Sequence, residues 1–498
     1  MTEAASRVKR LLLKIPSLYT IGFVSIIIAI FFRSIALEID IDLWWHLANG
    51  RRMFEMQAVV LPEWMSFTFA GERFVNQWWL GELILYKLYS AFGLWSIFVF
   101  TSAAISASFI FVYLRMLRRG SAPAIALTIL TFGAIASAVS WGTRLQMVSL
   151  FLTSLFLWLL DQHDRSSSFK WLLPLPLLML AWNNIQGAFV IGVAVTSIYA
   201  LAAWIEGDRQ KARPLTFAAV ATAVASVISP NGILQWRYPL EFFFPNPYRN
   251  LIEESLSPDF HLRTFLPFEI LLILLIVSAL WAPSRRWRDV LLMIGFTHLA
   301  LSQIRHIALW VVAISPLIAE YSSAWIRDTT SQRPALARIN RAPSEAMRAV
   351  LNVVLILAVA FAFAGVFSRA LSRVDLKRTE RLRYPAGAAD HIRSRISPER
   401  TFSTFEWGGY LVWRLYPEQT VFIDARADII YDERVLMDYI TIMGQLPGWR
   451  QRIDEWKIGQ FVINSRSDLD YALEKEPEWE RSYADHNAVI YVRRAALP

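Results

Sequence analysis

The chain has 498 residues, 55% of them hydrophobic and only 18% charged, with a net charge of +9 and no cysteine. Positive mean hydropathy and long apolar blocks point to a chain threaded through lipid. The missing cysteines exclude disulfides and thiolate metal sites.

Apolar blocks start near Ser17, Gly93, Ala122, Leu145, Trp171, Ala188, Pro214, Phe265, Val290, Ile307 and Ala349. At about 1.5 Å per residue each is long enough, or nearly so, to cross the hydrocarbon. They predict a polytopic α-helical membrane protein with about eleven transmembrane helices. The first block has no small-residue cleavage site and reads as an anchor. The stretch Trp171 to Trp204 is too long for one straight span. The polar knot Asn183-Asn184-Ile185-Gln186-Gly187 at its middle predicts two spans with a turn.

Lys and Arg cluster at Arg7 to Lys14, Arg115 to Arg119, Arg165 to Lys170, Arg209 to Arg213, Arg285 to Arg288 and Arg327 to Arg348, in every second loop. About 20 basic residues fall on that side against about 8 in the alternate loops. This predicts a cytoplasmic N-terminus in a bacterial inner membrane. The charge is then a topology signal that also suits anionic lipid, and it gives no reason to invoke nucleic acid. A basic linker, Thr329 to Pro343, precedes the last span.

Three parts stand outside the lipid on the outer, periplasmic side: residues 38–82, residues 230–264 and everything after Phe367. In the first, Glu38, Asp40 and Asp42 share one side if the backbone is extended, whereas a helix instead aligns Glu38, Asp42 and His46. Carboxylates beside apolar groups acquire raised pKa values and serve as general bases or metal ligands, so a divalent cation (Mg or Mn) is compatible with this loop. The plainer reading is a solvated cap on an interfacial helix, with Trp44-Trp45 as anchor. Trp64, Phe67, Phe69, Phe74, Trp78 and Trp79 read as aromatics at the head-group level.

Outer-face cations come next: Arg144 in "WGTRLQ", Arg237, Arg249 and Arg263 in the second loop, and Arg305-His306 in "SQIRH". A guanidinium at a span end suits a phosphate diester through its bidentate fork, or simply snorkels to lipid phosphate. His306 reads more readily as a packed histidine than as a ligand. Glu253, Glu254 and Asp259 form a second acidic group in a proline-broken, irregular loop. These acids either complete a metal site with the first loop or keep their own loop soluble.

The division falls at 1–371, the membrane part, and 372–498, a periplasmic α/β domain. Its expected strands are Arg400 to Phe405, Thr420 to Ala425, Gln460 to Asn464 and Ala488 to Arg493. Its expected helices are Ala386 to Ile396, Tyr410 to Tyr416, Val435 to Met443 and Arg450 to Trp456. A Gly-Gly pair between Trp407 and Tyr410 permits close backbone approach. Asp424, Arg426 and Asp428 sit where the strand Val421 to Ile423 should end, either as a site or as a salt-bridge lattice holding domain to membrane. No Walker loop, GxGxxG, GxSxG or HExxH occurs. Soluble nucleotide donors do not reach the outer face, so an activated group would arrive attached to a lipid.

The stretch "DIDLWWHLANGRRMFEMQAVVLPEWMSFTFAGERFVNQWWLGELIL" resembles the first outer loop of bacterial GT-C superfamily glycosyltransferases, with an acid after the first span, then Trp-His, then Pro and Ser-Phe-Thr. "AWNNIQGAFVIG", "SPNGILQW", "IEESLSPDF", "SQIRHIALW" and "WGGYLVWRLYPEQTVFIDARADIIY" are similar to later blocks of those proteins, in the same order. The resemblance implies a polyprenyl-phosphate-sugar donor and a periplasm-facing site, with Asp42 or Asp40 as base and Arg305 and Arg144 on the donor phosphate, His306 beside them. The acceptor would be a glycan, lipid or protein. Trp407 to Tyr410 is loosely similar to the Trp-Trp-Asp motif of oligosaccharyltransferases but lacks its acid. Asn184-Ile185-Gln186-Gly187 stands where those proteins often have Asn-x-His-Gly, and Gln77-Trp78-Trp79-Leu80 where His-Glu-Trp-Leu is common.

The leading expectation is therefore an inverting, lipid-donor glycosyltransferase. Its competitors are a polymerase or ligase of lipid-linked glycans and a non-enzymatic transporter or flippase. The last would place ionisable groups in a broken helix at mid-membrane, for which Asn183 to Gly187 is the one strong candidate.

Overall fold

The structure, a computed structural model, describes residues 18–35, 38–241, 252–283, 286–331, 376–395 and 399–494. Apolar α1 (Leu18–Ile35) is followed by α2 (Asp42–Met56) and α3 (Trp79–Phe92), which carry the first loop. The chain then runs back and forth through α4 (Trp95–Arg118), α5 (Pro123–Ser137), α6 (Gln146–Ser166), α7 (Pro174–Ile185), α8 (Val190–Ile205) and α9 (Arg209–Ala225). After a short α10 (Arg237–Glu241) come α11 (Leu266–Ala279), α12 (Trp287–Ser302) and α13 (Ile307–Ser331). Proline opens α5 and α7, where its missing N–H costs nothing.

Among the described residues five segments are long and apolar enough to cross a membrane: Leu18–Ile35, Trp95–Arg118, Pro123–Ser140, Gly187–Ile205 and Ile304–Ser331. The other described blocks form α6, α7, α9, α11 and α12, which are shorter or, in α6, end in polar residues. The expected span at Ala349, most of the basic linker and the domain boundary at 371–372 lie outside the described residues, as do Arg249 and the basic run Arg7 to Lys14. Helix α13 is the centre of the bundle, buried from Ile307 to Ser323 and packed on α4, α5, α6, α11 and α12. Some hydroxyls inside the bundle donate back to their own helix, as from Thr101 to the Ile97 carbonyl (3.0 Å) and Thr153 to that of Ser149 (2.8 Å), whereas those of Ser102, Ser154 and Ser315 are buried without a partner among the described residues.

The alternating helices give the bundle two chemically different ends. Arg115–Arg119, Arg165, Lys211 and Arg286–Arg288 gather at one, tied by Lys211 to Asp164 (3.2 Å) and by an Arg288–Asp164 ion pair. The other holds the first loop, the connections 138–145 and 183–189, residues 226–265 and the turn Ile304–His306. The predicted turn after Asn183 is real: α7 stops at Ile185 and α8 begins three residues after Gly187. It lies in the loop layer, where Asn183 and Asn184 Nδ2 donate to the Ile228 carbonyl (3.1 and 3.0 Å) and Gln235 Nε2 donates to that of Asn183 (2.7 Å).

The C-terminal domain comprises α14 (Leu376–Arg383), α15 (Ala386–Ser394), β1 (Thr401–Ser403), α16 (Gly408–Leu415), α17 (Glu433–Met443), α18 (Trp449–Glu455), β2 (Gln460–Asn464), α19 (Asp468–Leu473), β3 (Trp479–Ala484) and β4 (Ala488–Arg493). The sheet order is β1-β2-β4-β3, with β1 parallel to β2 and the rest antiparallel. Period-two alternation sends Phe461, Ile463, Val489 and Tyr491 to a core beneath α17–α19, and Val462, Ala488 and Ile490 to a core shared with α15, α16 and α2. Both faces are covered, which explains the almost uninterrupted apolar runs of β2 and β4.

Two strand expectations change. Thr420 to Ala425 is not a strand: Val421 makes only isolated bridges, its N–H donating to the Met65 carbonyl (3.0 Å) and its carbonyl accepting from Phe67 (3.1 Å), before the chain turns into buried charge at Asp424. Strand β3 was not expected, because "WERSYA" is an edge strand with half of its residues exposed.

Domain and bundle are locked together by buried charge. Arg426 Nη2 lies 2.8 Å from Glu63 Oε1 and 2.6 Å from Asp424 Oδ2, Nη1 pairs with Glu63 Oε2, and Tyr431 donates to Asp424 (2.9 Å). All three charged side chains are fully buried. The salt-bridge reading of Asp424 and Arg426 is thus the one the geometry supports, with Glu63 of the first loop as the partner. Arg426→Gln leaves two carboxylates without their cation and should cost about 3–5 kcal/mol. Thermal unfolding in detergent checks this, and an unchanged melting temperature would contradict the lock.

Candidate functional site

Helix α2 begins at Asp42, with Ile41 as its non-capping neighbour. Its carboxylate in the first turn is favourably placed for the helix dipole. The helical alternative for this segment therefore holds from Asp42 onward, with Asp40 just before it. Asp40 is fixed from outside: its N–H donates to Thr143 Oγ1 (3.0 Å), whose hydroxyl donates to the Glu38 carbonyl (3.3 Å), and its Oδ1 accepts from the Asp42 N–H (3.0 Å). Trp45 Nε1 donates to Asp42 Oδ1 at 3.2 Å.

Arg144, in the connection before α6, brings the site together. Its Nε is 3.5 Å from Asp40 Oδ2, its Nη1 is 4.0 Å from Asp42 Oδ2, and its Nη2 pairs with Glu254. Arg305 extends the group, with Nη1 3.9 Å from Glu254 Oε1 and Nε donating to Gln303 Oε1 (2.7 Å). Glu254 stands between two guanidiniums. Backbone contacts hold these turns in register: Ile304 N–H donates to the Leu256 carbonyl (2.9 Å) and Ser140 Oγ to that of Ile304 (2.8 Å). The structure thus unites Asp40, Asp42, Arg144, Glu254 and Arg305, drawn from four loops.

Burial, then the adjacent charge of Asp40, pushes Asp42 up from 3.8 to about 7, against the pull of Arg144. Burial opposes the charges of Arg144 and Glu254 as well, but Asp40 and then Glu254 hold Arg144 above its ordinary value, and Arg144 holds Glu254 below its own. The arrangement is a carboxylate that can take a proton near neutral pH beside two fixed cations. Among the described residues no three His, Asp or Glu side chains are placed to share a metal ion, and the Arg144 guanidinium sits among the three acids.

The other expected residues have different places. Glu38 is exposed and pairs with Arg383. Glu253 is exposed and makes no ion pair among the described residues. Arg237 pairs with Glu241 (2.6 Å) away from the acids. His306 Nδ1 lies 3.2 Å from the Leu299 carbonyl, consistent with a packed histidine. His46 does not join Asp42. Its Nδ1 is 3.0 Å from Oε1 of Glu82, a fully buried carboxylate that also accepts from Asn49 (2.7 Å) and Asn76 (2.6 Å). Glu82 and Glu63 are the residues missed from the sequence. The available signal was a lone acid in the otherwise apolar "WLGELIL".

Asn184 and Gln186 lie outside the acidic cluster and are hydrogen-bonded within the loop layer. Asn184 Oδ1 accepts from Trp79 Nε1 (2.7 Å), and Gln186 Oε1 accepts from Ser149 Oγ and the Ala188 N–H (both 2.6 Å). Gln77 lies against Gly187, where a Cβ would come within 2.3 Å of its Oε1, so the two glutamine departures meet at one buried spot.

Trp407 and Tyr410 position α2 and do not reach its acids. Trp407 Nε1 donates to the Arg383 carbonyl (3.1 Å), Tyr410 donates to Glu380 (2.7 Å), and the Tyr410 ring meets Trp44 edge-on at 5.1 Å. Gly409 lies against Trp45, where a Cβ would stand 3.2 Å from the Trp45 backbone nitrogen. Trp44 and Trp45 are only 2% exposed, which replaces the membrane-anchor reading. Phe67 and Phe69 likewise pack on Phe422 and Tyr431 rather than lipid.

A raised folded-state pKa at Asp42 means that the folded protein holds a proton the unfolded chain releases from about pH 4 upward. Stability from this group is thus lost as pH rises from about 4 to about 7. Asp42→Asn should melt above wild type at pH 8 and close to it at pH 4, and equal melting at both would contradict the shift.

No protein-family model and no curated protein sequence matches the chain. Among solved structures it is similar to ArnT from Cupriavidus metallidurans bound to undecaprenyl phosphate, with a TM-score of 0.52 and 15% identity over 95% of this chain and 98% of that one. It is also similar to that protein's apo state, with a TM-score of 0.52 and 16% identity over 94% and 96%. The archaeal oligosaccharyltransferase AglB from Archaeoglobus fulgidus, in complex with an inhibitory peptide and a dolichol-phosphate, gives a TM-score of 0.55 and 10% identity over 95% and 74%. At such identities the likeness is one of fold.

Proposed function

We propose that this chain, which has the fold of the GT-C superfamily membrane glycosyltransferases, moves a sugar from a polyprenyl-phosphate donor to an acceptor hydroxyl of a glycan, lipid or protein. The observation that carries this reading is the convergence of Asp42, with its pKa near 7, on Arg144 and the Glu254–Arg305 pair. Asp42 takes the acceptor proton as the hydroxyl oxygen attacks the anomeric carbon from the side opposite the leaving phosphate. The bond from that carbon to the phosphate oxygen breaks, and Arg144 and Arg305 balance the charge left on the phosphate. The donor phosphate takes the place between the guanidiniums that the Glu254 carboxylate holds. Asp40 positions Asp42 and raises its basicity. Basic loops at the opposite end favour a periplasmic orientation of the acidic end in a bacterial inner membrane.

A lipid-linked glycan polymerase or ligase would use the same arginines, and likeness to an oligosaccharyltransferase fold favours it as the second reading. Product mass separates one added sugar from a transferred chain. The transporter reading is weaker, because the break after Ile185 lies in the loop layer at the bundle's end and not at its middle.

Asp42→Asn should lower transfer by roughly 100-fold or more, the usual contribution of a general base, with the protein still folded. Asp40→Asn should lower it as well, and full activity in both variants would sink the assignment. The rate should rise with pH through about 7. Glu254→Gln removes a charge that raises Asp42, so the rising limb should move to lower pH, and a limb that moves up would oppose the assignment of Asp42 as base.

A further inference from the structure

At the opposite end of the bundle lies a second polar site. Helix α6 separates the two, running from Gln146 beside Arg144 to Ser166. Its 21 residues span about 30 Å, the thickness of a bilayer's hydrocarbon. A cavity of about 180 Å³ opens there, lined by six arginines (115, 118, 119, 165, 286 and 288) against Asp161 and Asp164. Its volume far exceeds the roughly 10–15 Å³ that one water needs.

The floor is a network of buried ion pairs and hydrogen bonds. Arg115 is 1% exposed, with Nε 2.9 Å from Asp161 Oδ2 and Nη1 donating to the Val312 carbonyl (2.9 Å). Arg119 Nε lies 2.6 Å from Glu320 and its Nη2 2.5 Å from Asp289, and Tyr199 donates to Asp161 (2.5 Å). Arg288 Nε and Nη1 make ion pairs without hydrogen-bond geometry, and two further lining donors, Arg115 Nη2 and Gln162 Nε2, are buried with neither a hydrogen bond nor an ion pair among the described residues. At the rim, Arg118, Arg165 and Arg286 make no ion pair among the described residues. Buried donors without acceptors and unneutralised guanidiniums around one cavity call for an anion with several acceptor oxygens, and the guanidinium fork matches a phosphate. The length of α6 sets the cavity about one hydrocarbon thickness away from the acidic end.

We propose that this arginine pocket binds a phosphate ester, supplied by the head group of an anionic phospholipid in the leaflet opposite the Asp42 site. The proposal is independent of the chemistry assigned to the acidic end. The rim arginines capture the phosphate, and Arg115 Nη2 and Gln162 Nε2 receive its oxygens.

The test is thermal unfolding of the delipidated full-length protein in detergent, with phosphatidylglycerol, phosphatidylcholine or pyrophosphate added. Phosphatidylglycerol should raise the melting temperature, since a ligand of the folded state stabilises it, and phosphatidylcholine should do less. The triple variant Arg118→Gln/Arg165→Gln/Arg286→Gln should melt like wild type without lipid and lose at least half of the shift. If that variant misfolds, Arg165→Gln alone, at an exposed position, should show a smaller loss. A pyrophosphate shift that the same variants reduce would keep the anion site and make a soluble phosphate compound its source. No shift with either anion, an equal shift with phosphatidylcholine, or an undiminished shift in the variants would overturn the proposal.

Discussion

A guanidinium shared by three carboxylates organises the acidic end of this molecule. Arg144 sits on a connection between two apolar helices, where the chain has no room to wander, and Asp40, Asp42 and Glu254 reach it from two other loops. Charge of both signs is tolerated there because each group is partly paired and all lie in the loops at one end of the bundle. The pairing is incomplete at Asp42, whose nearest contact to Arg144 is 4.0 Å. That shortfall, together with burial and the charge of Asp40, is what leaves this one carboxyl poised near neutrality.

The C-terminal domain makes the arrangement durable. By covering Trp44, and with Gly409 set against Trp45, it turns the start of α2 from an interfacial helix into a buried one. The Glu63–Arg426–Asp424 group fixes that cover from the side. A buried ion pair is a poor source of net stability but a strong specifier of geometry once formed, and here it specifies how domain and bundle meet.

Much of this was legible in the sequence. Arg144 and Arg305 stand at the ends of apolar blocks, where topology alone sends them to the same side as Asp40 and Asp42. The turn after Asn183 is written in three amide side chains within four residues, Asn183, Asn184 and Gln186, followed by Gly187. Pairings across hundreds of residues were not legible. His46 is four residues from Asp42 and would share its stripe, yet it turns to Glu82, because Asn49 and Asn76 complete a buried site for that carboxylate. The tryptophans of the first loop carry the composition of a membrane anchor, and only the domain folded over them shows otherwise. Val421 to Ile423 has the composition of a strand but finds its partners in the first loop at Met65 and Phe67.

The central claim is that Arg144 and Arg305 exist to hold a lipid-linked phosphate beside Asp42. Binding of undecaprenyl phosphate to the purified protein, measured by native mass spectrometry for wild type, Arg144→Gln and Arg305→Gln, tests it most directly. The account predicts saturable binding to wild type and a loss of at least tenfold in affinity in each variant, with the rest of the protein folded. Equal binding by all three proteins would contradict it.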